Sequence, residues 1–168
     1  MKILFWNCQG LGNLKTLNYL KQLIDSHKPL IIGIAEPKIP LNDGIFILNK
    51  FGFNLIGSSP PSPNICRLWD FVHYSIKDVN LILQSDQLIH FSYHCFNVIH
   101  HCSIIYAFNN YIDRRFLWSS LESLDLSCNC PWIICGDFNA ILQKDEKIGP
   151  SFSKVIMKDF RKDRKSVV

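Results

Sequence analysis

The chain has 168 residues, of which 48% are hydrophobic and 19% are charged, a composition that supports one domain with a sizeable core and excludes a disordered chain. The formal net charge is +4, yet residues 1–143 hold ten basic and ten acidic side chains, so the excess lies in residues 144–168. A basic segment of this kind either attracts phosphate backbones without specificity or is simply solvated.

The first third of the chain predicts two buried strands joined by a helix. Residues 2–7 are apolar on both faces, which is typical of a strand in the middle of a sheet. Apolar residues then follow helical spacing over residues 14–27, and residues 30–36 form a second buried strand. Residues 37–64 are rich in Pro, Gly, Asn and Ser and are expected to be irregular, with one short apolar piece at 45–48.

The rest of the chain predicts further strands and one clear helix. Three β-like runs cover residues 67–74, 79–84 and 88–106, and the last is long enough for two strands and a turn. Residues 111–124 form an amphipathic helix, and residues 131–136 form a third buried strand. The inner side of the helix is expected to carry Ile112, Phe116, Leu117, Leu121 and Leu124. Strands and helices alternating around a β-rich middle predict an α/β sandwich.

Targeting segments are not expected, because the longest apolar run has only the length of a strand. Seven cysteines without a CxxC pair are typical of free thiols in a reducing compartment. We therefore expect an intracellular protein of the nucleus or cytoplasm that is neither secreted nor transmembrane. Residues 1–150 are expected to form one domain, and residues 151–168 a basic, partly helical tail.

Polar side chains follow the three buried strands. Asn7, Glu36 and Asp137 each share a face with alternating apolar residues of the strand before them, and Asn139 comes two residues later. Such positions are the carboxyl ends of core strands, where α/β sheets place ligands. Two carboxylates and two carboxamides suit Mg²⁺ and phosphoryl chemistry. Taken singly, each residue is equally well explained as a solvated or turn residue.

Four segments, in this order along the chain, resemble motifs of the endonuclease/exonuclease/phosphatase (DNase I-like) domain of plant LINE-type non-LTR retrotransposons. They are residues 3–12 (ILFWNCQGLG), 35–38 (AEPK), 105–109 (IYAFN) with the following RR and LW pairs at 114–115 and 117–118, and 136–142 (GDFNAIL). Residues 145–149 (DEKIG) fit the segment that follows. The resemblance implies a four-layer α/β sandwich of two packed mixed sheets flanked by helices, incomplete at its C-terminus.

The resemblance also implies Mg²⁺-dependent (or Mn²⁺-dependent) hydrolysis of DNA phosphodiester bonds, which nicks a target for retroelement insertion. It assigns roles to six residues: Glu36 as metal ligand, Asn7 beside it at the metal and substrate, Tyr106 as a phosphate contact that steadies developing charge, Asp137 as the group that orients or activates the attacking water, Asn139 as a donor to a phosphate oxygen, and Asn109 as a weaker candidate for phosphate contact. Without the resemblance, Tyr106 is better explained as a core tyrosine.

The sequence departs from this family in two places. The family's domain continues to a second aspartate and a closing Ser-Asp-His, whereas none of the six histidines here follows a Ser-Asp pair; these are His27, His73, His90, His94, His100 and His101. The Gly-rich segment that precedes the middle strand in the family is replaced here by NICRLW at residues 64–69. We therefore expect a truncated copy with little or no activity.

Other functions stay open as alternatives. The same fold is compatible with a non-catalytic phosphate- or metal-binding remnant, a functionless pseudogene product, or a phosphomonoesterase. His94, Cys95, His100, His101 and Cys102 are potential zinc ligands, but their irregular spacing favours ordinary sheet residues. DNA is the expected partner. No nucleotide cofactor, membrane or specific protein partner is inferred.

Overall fold

A computed structural model describes residues 1–60, 66–125 and 130–140. The chain forms two compact units, the first made of Met1–Tyr106 with Cys130–Asp137 and the second of Ala107–Asn129 with Phe138–Val168. The first unit contains helices α1 (Leu14–His27) and α2 (Leu41–Asn49) and strands β1 (Ile3–Asn7), β2 (Ile31–Ala35), β3 (Phe53–Ser59), β4 (Leu68–His73), β5 (Asn80–Gln84), β6 (Leu88–Cys95), β7 (Val98–Tyr106) and β8 (Trp132–Asp137). The second contains helix α3 (Tyr111–Asp125).

The strands form two four-stranded mixed sheets. One sheet has the order β1-β2-β4-β3, with β1 parallel to β2 and the other neighbours antiparallel. The other has the order β5-β6-β7-β8, with only β7 and β8 parallel. The predicted fold class, an α/β sandwich of two mixed sheets flanked by helices, is confirmed.

Alternation along the strands sends apolar side chains to both faces of the first sheet. One face packs against the second sheet. The core between the two sheets contains Ile31, Ala35, Leu68, Val72, Ile89, Phe91, Cys102 and Ile104. The opposite face is covered by α1 and α2, whose Leu20, Ile24 and Leu48 pack on Ile32, Ile34, Trp69 and Phe71. Both faces of β2 are therefore buried, and all five of its residues are inaccessible, as its continuous apolar sequence predicts.

One acidic side chain lies inside the core between the sheets. Asp70 of β4 is 0% exposed and shares its face with Leu68 and Val72. Neither of its carboxylate oxygens has a hydrogen-bond partner among the described residues. Burial, and to a smaller extent the neighbouring Cys135, raises the pKa of Asp70 well above its usual range. The folded chain therefore holds Asp70 as a neutral acid.

Three expectations from the sequence are wrong within the first unit. The segment that was expected to be irregular contains α2 and β3 within its described part, residues 37–60. Gly44 suggests a loop by composition, but a Cβ there would lie 2.2 Å from the Trp69 ring, so the glycine lets α2 pack closely on β4. Strand β1, which was expected in the middle of a sheet, is an outer strand in the sheet of the described residues. Both β1 and β8 were expected to be buried and are only partly buried.

In the second unit, the predicted helix is present as α3, but part of its expected inner side is wrong. Leu117, Leu121 and Leu124 are buried, whereas Ile112 and Phe116 are 51% and 74% exposed. Buried Arg114 takes their place, because its guanidinium donates hydrogen bonds to the carbonyl oxygens of Phe108 (3.0 Å), Phe138 (3.5 Å) and Asn139. Apolar periodicity cannot anticipate an arginine that is buried by binding backbone carbonyls.

No helix within the described parts of the chain is long and apolar enough to cross a membrane. The predicted tail at residues 151–168 and the motif continuation at 145–149 lie outside the described residues.

Candidate active site

The carboxyl ends of four strands carry the polar residues on which the sequence interpretation rests. Asn7 ends β1 and is in register with Ala35 of parallel β2, so Glu36 follows directly at the same edge. In the second sheet, Tyr106 ends β7 and is in register with Asp137 of parallel β8. Parallel pairing thus brings each pair of ends to one edge of its sheet.

Glu36 is the centre of this cluster. The Tyr106 hydroxyl donates a hydrogen bond to its Oε1, and Lys38 Nζ lies 3.2 Å from its Oε2. The hydrogen bond from Tyr106 is the main cause that lowers the pKa of Glu36, followed by Lys38, with a smaller hydrogen bond from Asn7, against the opposing effect of burial. Glu36 is therefore ionised at neutral pH, and with 29% of its side chain exposed it is accessible to a ligand.

The backbone around Glu36 is held from both sides. Its own φ is +51°, in the left-handed region that residues with a side chain seldom adopt. The Glu36 N–H donates to the Arg67 carbonyl at 2.8 Å, and the Cys8 N–H donates to the Ala35 carbonyl at 3.0 Å. The Cys8 thiol, whose pKa is raised by burial, also lies 3.4 Å from the Glu36 carbonyl. These bonds from two neighbouring strands fix the direction in which Glu36 leaves the sheet.

Tyr106 links the two sheets through its hydroxyl. Its ring is 6% exposed, and the Arg67 guanidinium carbon lies 4.7 Å from the ring centroid. Burial, followed by the hydrogen bond and the charge of Glu36, raises the pKa of Tyr106, while Arg67 acts in the opposite direction. Tyr106 therefore keeps its proton at neutral pH and serves as a hydrogen-bond donor.

Gly136 brings Asp137 to the end of β8. It has φ +141°, and a Cβ at this position would lie 2.0 Å from the Ile105 carbonyl oxygen. Only glycine allows β8 to approach β7 this closely. The half-buried Asp137 therefore lies on the strand next to Tyr106, on the face of the sheet that Cys135 shares.

The two remaining predicted residues belong to the second unit. Asn139 has φ +46°, and its amide nitrogen donates to the Ala107 carbonyl at 2.7 Å. Asn109 is exposed in the loop between β7 and α3. Whether these carboxamides join Glu36 in one cleft stays a prediction, as do the catalytic roles of all six residues.

Sequence reasoning missed two cations, Lys38 and Arg67. Lys38 stands two residues after Glu36, and its φ of +53° turns the chain back toward that carboxylate. The sequence predicts that Arg67 begins a β-like run and lies in the segment that replaces the family's Gly-rich stretch, and neither interpretation gives its side chain a role. Its position just before β4, the strand that pairs with β2, is the signal that would have placed it beside Glu36.

Three histidines, His90, His100 and His101, have partners within the second sheet. On β6, His90 places Nδ1 at 2.7 Å from Ser103 Oγ and Nε2 at 3.0 Å from His101 Nδ1. His100 stacks on Tyr93. In the parts of the chain that the structure covers, no three His, Cys, Asp or Glu side chains are grouped to hold a metal ion.

The oxygen atoms near Glu36 nevertheless fit Mg²⁺. Asn7 Oδ1 is buried and has no hydrogen-bond partner among the described residues, and it lies next to the ionised Glu36. Such an unsatisfied oxygen is costly unless a ligand binds it. Mg²⁺ needs only one or two carboxylates from a protein, because it retains several water molecules.

Comparison with known proteins agrees with this architecture. The TRAS1 endonuclease domain, from a telomere-specific non-LTR retrotransposon, has a TM-score of 0.62 at 14% identity over 83% of this chain and 59% of its own length. An AP endonuclease from Archaeoglobus fulgidus has a TM-score of 0.73 at 16% identity, covering 98% and 70%. D. rerio TDP2 complexed with single-strand DNA product has a TM-score of 0.64 at 15% identity, covering 83% and 60%.

These likenesses show the fold, and the chain spans about 60–70% of the length of these structures. No curated protein matches the sequence with significance. The family model for the Endonuclease/Exonuclease/phosphatase family matches residues 4–153, which is most of the chain. The chain therefore belongs to the endonuclease/exonuclease/phosphatase family.

Proposed function

We propose that this chain carries the phosphodiesterase site of a retroelement DNA endonuclease that depends on Mg²⁺ or Mn²⁺. The observation that carries the proposal is the ionised Glu36, which Tyr106 orients and which lies beside the unsatisfied oxygen of Asn7. A metal-binding carboxylate next to a phenolic donor suits hydrolysis of a phosphate ester. Family membership and the likeness to a retrotransposon endonuclease domain support this choice.

Each residue of the cluster has a distinct part in the proposed reaction. Glu36 and Asn7 would hold the metal ion, which when bound would supply positive charge to the phosphate and lower the pKa of a bound water. Tyr106, which keeps its proton at neutral pH, turns its single O–H from Glu36 to a phosphate oxygen when substrate binds, and offsets charge that develops there. Asp137 accepts a hydrogen bond from the attacking water and orients it, and Asn139 donates to a second phosphate oxygen.

We further propose that turnover is low. Residues 1–168 contain no Ser-Asp-His triplet, so these residues by themselves do not supply the histidine that donates to the scissile phosphate in this family. Loss of one preorganised donor commonly lowers the rate by about a hundred- to a thousandfold. A second candidate, phosphate binding without hydrolysis, is favoured by the position of Lys38, whose ammonium already contacts one Glu36 oxygen.

Two measurements on the 168-residue chain test the proposal. Mn²⁺ binding, followed by water proton relaxation, should be present in the wild type and lost in Glu36→Gln, with Asp78→Asn as an exposed control. Nicking of supercoiled plasmid with Mg²⁺ should be at or near background for the wild type. Mn²⁺ binding that does not depend on Glu36 would overturn the metal site. Nicking that requires both Glu36 and Asp137 would overturn low turnover, but support catalysis by this cluster.

A further inference from the structure

We propose that Arg67 is a phosphate-binding residue of the candidate active site and contacts the DNA backbone beside Tyr106. This inference rests on the proposed function, because it takes DNA as the substrate. It adds a residue to which neither the sequence interpretation nor the family resemblance gives a role.

The backbone of Arg67 is fixed next to the cluster. Its N–H donates to the Ser59 carbonyl at 2.7 Å, and its own carbonyl accepts the N–H of Glu36 at 2.8 Å. Arg67 therefore bridges the end of β3 and the residue after β2. Because the main chain is held at both groups, the side chain starts from a defined point within reach of the candidate site.

The guanidinium of Arg67 lies over the face of the Tyr106 ring, with its central carbon 4.7 Å from the ring centroid. This is the ring whose hydroxyl binds Glu36. Contact with a ring engages the face of a guanidinium, whereas phosphate oxygens are bound by N–H groups at its edge. The stacking restricts the side chain and reduces the entropy that phosphate binding would cost.

The positive charge of Arg67 offsets negative charge at the candidate site. The ionised Glu36 repels a phosphodiester, because like charges meet in a partly desolvated site. Lys38 is 3.2 Å from one Glu36 oxygen and offsets part of that charge. Arg67 supplies a second cation on the Tyr106 side, where the proposed phosphate contact is. The two cations together make the approach of a phosphate favourable before any metal binds.

The expected ligand is the sugar–phosphate backbone of DNA rather than a base. Arg67 emerges at the ends of strands that also hold the proposed metal ligands, so the group it would meet is the one being hydrolysed. A single guanidinium on phosphate positions a duplex but carries no sequence information. The competing explanation is that Arg67 only packs on Tyr106, and this explanation predicts no effect on DNA affinity beyond loss of fold.

The test measures binding of a fluorescein-labelled DNA duplex in EDTA, by anisotropy, over a series of salt concentrations. Arg67→Gln should weaken binding about tenfold, as expected for a charge-assisted hydrogen bond. It should also lower the slope of log K against log salt by about 0.9, the value for one phosphate contact. Arg67→Lys should keep the slope but bind several-fold more weakly, because an ammonium lacks the bidentate geometry.

Lys77→Gln is the matched control, because Lys77 is exposed and lies beyond the opposite end of β4 from Arg67. It should leave affinity within about twofold of the wild type. Equal losses in Lys77→Gln and Arg67→Gln would mean that only total charge matters and would overturn the proposal. Unchanged binding by Arg67→Gln, or no measurable binding by the wild type, would also overturn it.

A measurement on the wild type avoids dependence on variants that fail to fold. DNA should protect Arg67 from modification by phenylglyoxal, read by mass spectrometry, and modification of Arg67 at the same rate with and without DNA would contradict the proposal. All these experiments exclude metal. Their results therefore do not depend on plasmid nicking or Mn²⁺ binding, and a failure of this proposal can be distinguished from a failure of the proposed function.

Discussion

Two acidic side chains, Glu36 and Asp70, lie in two regions of the same unit and have opposite ionisation. At the strand ends, Glu36 has donors on both carboxylate oxygens, and its pKa is lowered chiefly by Tyr106. Between the sheets, Asp70 is fully buried with no partner among the described residues, and its pKa is raised by burial. Burial and the supply of hydrogen-bond donors, rather than residue type, decide which of the two acids is charged.

The difference separates a group suited to function from one that costs stability. A partly exposed carboxylate with donors remains charged and can exchange a donor for a metal ion. A buried carboxyl without partners must stay neutral, and its unsatisfied oxygens lower the free energy of unfolding. His90 shares one property with each acid. Like Asp70 it is buried, with 1% exposed, and like Glu36 it has hydrogen-bond partners, here Ser103 and His101.

The largest expected effect is the loss of stability caused by Gly136→Ala, next to Asp137 at the end of β8. The new Cβ would meet the Ile105 carbonyl oxygen at 2.0 Å, at a φ of +141°. A backbone collision cannot relax by rotating a side chain, so we expect a loss of about 3 kcal/mol or more in unfolding free energy. Urea denaturation measures it, with Gly12→Ala as control, since its Cβ would meet only the Ile39 side chain at 3.2 Å. Similar stabilities for the two variants would disprove the close approach of β8 to β7.

Next in size is acid destabilisation through His90. Burial first, and then His101, lowers the pKa of His90 to about 4. The unfolded chain takes up a proton near pH 6.5 and the folded chain does not, so stability is complete above that pH and falls toward pH 4. A shift of this size corresponds to roughly 3 kcal/mol. Denaturation midpoints at several pH values should fall less steeply for His90→Asn; parallel curves would contradict the prediction.

Removal of the buried acid tests the interior region directly. The unfolded chain loses the Asp70 proton above about pH 4 while the folded chain keeps it, so stability declines as pH rises from there toward the raised folded pKa. Asp70→Asn should therefore become more stable than wild type by about 1–3 kcal/mol at pH 8, with a gain that shrinks toward pH 4. Asp70→Val, which also removes the unsatisfied oxygens, should gain at least as much.

Thermal melts at pH 5 and 8 measure this gain, and Asp78→Asn is the control, because its side chain is 74% exposed. If Asp70→Asn is less stable than wild type at pH 8, the carboxyl has a stabilising partner and the comparison with Glu36 fails.

The smallest expected effect concerns the donor to Glu36. Tyr106→Phe keeps the ring but removes the main cause of the lowered pKa, so the pKa of Glu36 should rise toward its usual value. Glu36 contributes stability above about pH 4.5 that is lost as pH falls, and the variant should show less of this loss. Carboxyl ¹³C titration by NMR measures the shift, with the half-exposed Tyr19→Phe as control. An unshifted Glu36 would show that Lys38 and Asn7 suffice.

Part of the fold and of the site was predictable because local signals agreed with the final environment. The continuous apolar run of β2 predicts a strand buried on both faces, and Asn13, whose side chain accepts the Thr16 N–H at 2.8 Å, marks the start of α1. The end of β2 then places Glu36 at a sheet edge. Such signals depend on neighbours a few residues away, which the sequence contains directly.

Other features depended on contacts that composition does not report. The sequence did not predict α2, because Gly44 favours a loop by composition. In the folded chain the Trp69 ring, from a residue twenty-five positions later, packs against this glycine. The exposed Phe116 and buried Arg114 of α3 reverse the usual preference, because backbone carbonyls bind the guanidinium. In each case a partner distant in sequence overrides local propensity.

The sequence by itself determined seven of the eight strands and two of the three helices among the described residues, the family, and the identity of the residues at the strand ends. Only the tertiary structure decided the charge states of Glu36 and Asp70 and brought Arg67 onto Tyr106. The physical reason is that ionisation and stacking depend on desolvation and on donors within a few ångströms, and residues 30 to 70 positions apart supply them here. Periodicity shows which face a side chain occupies, but not which group it meets there.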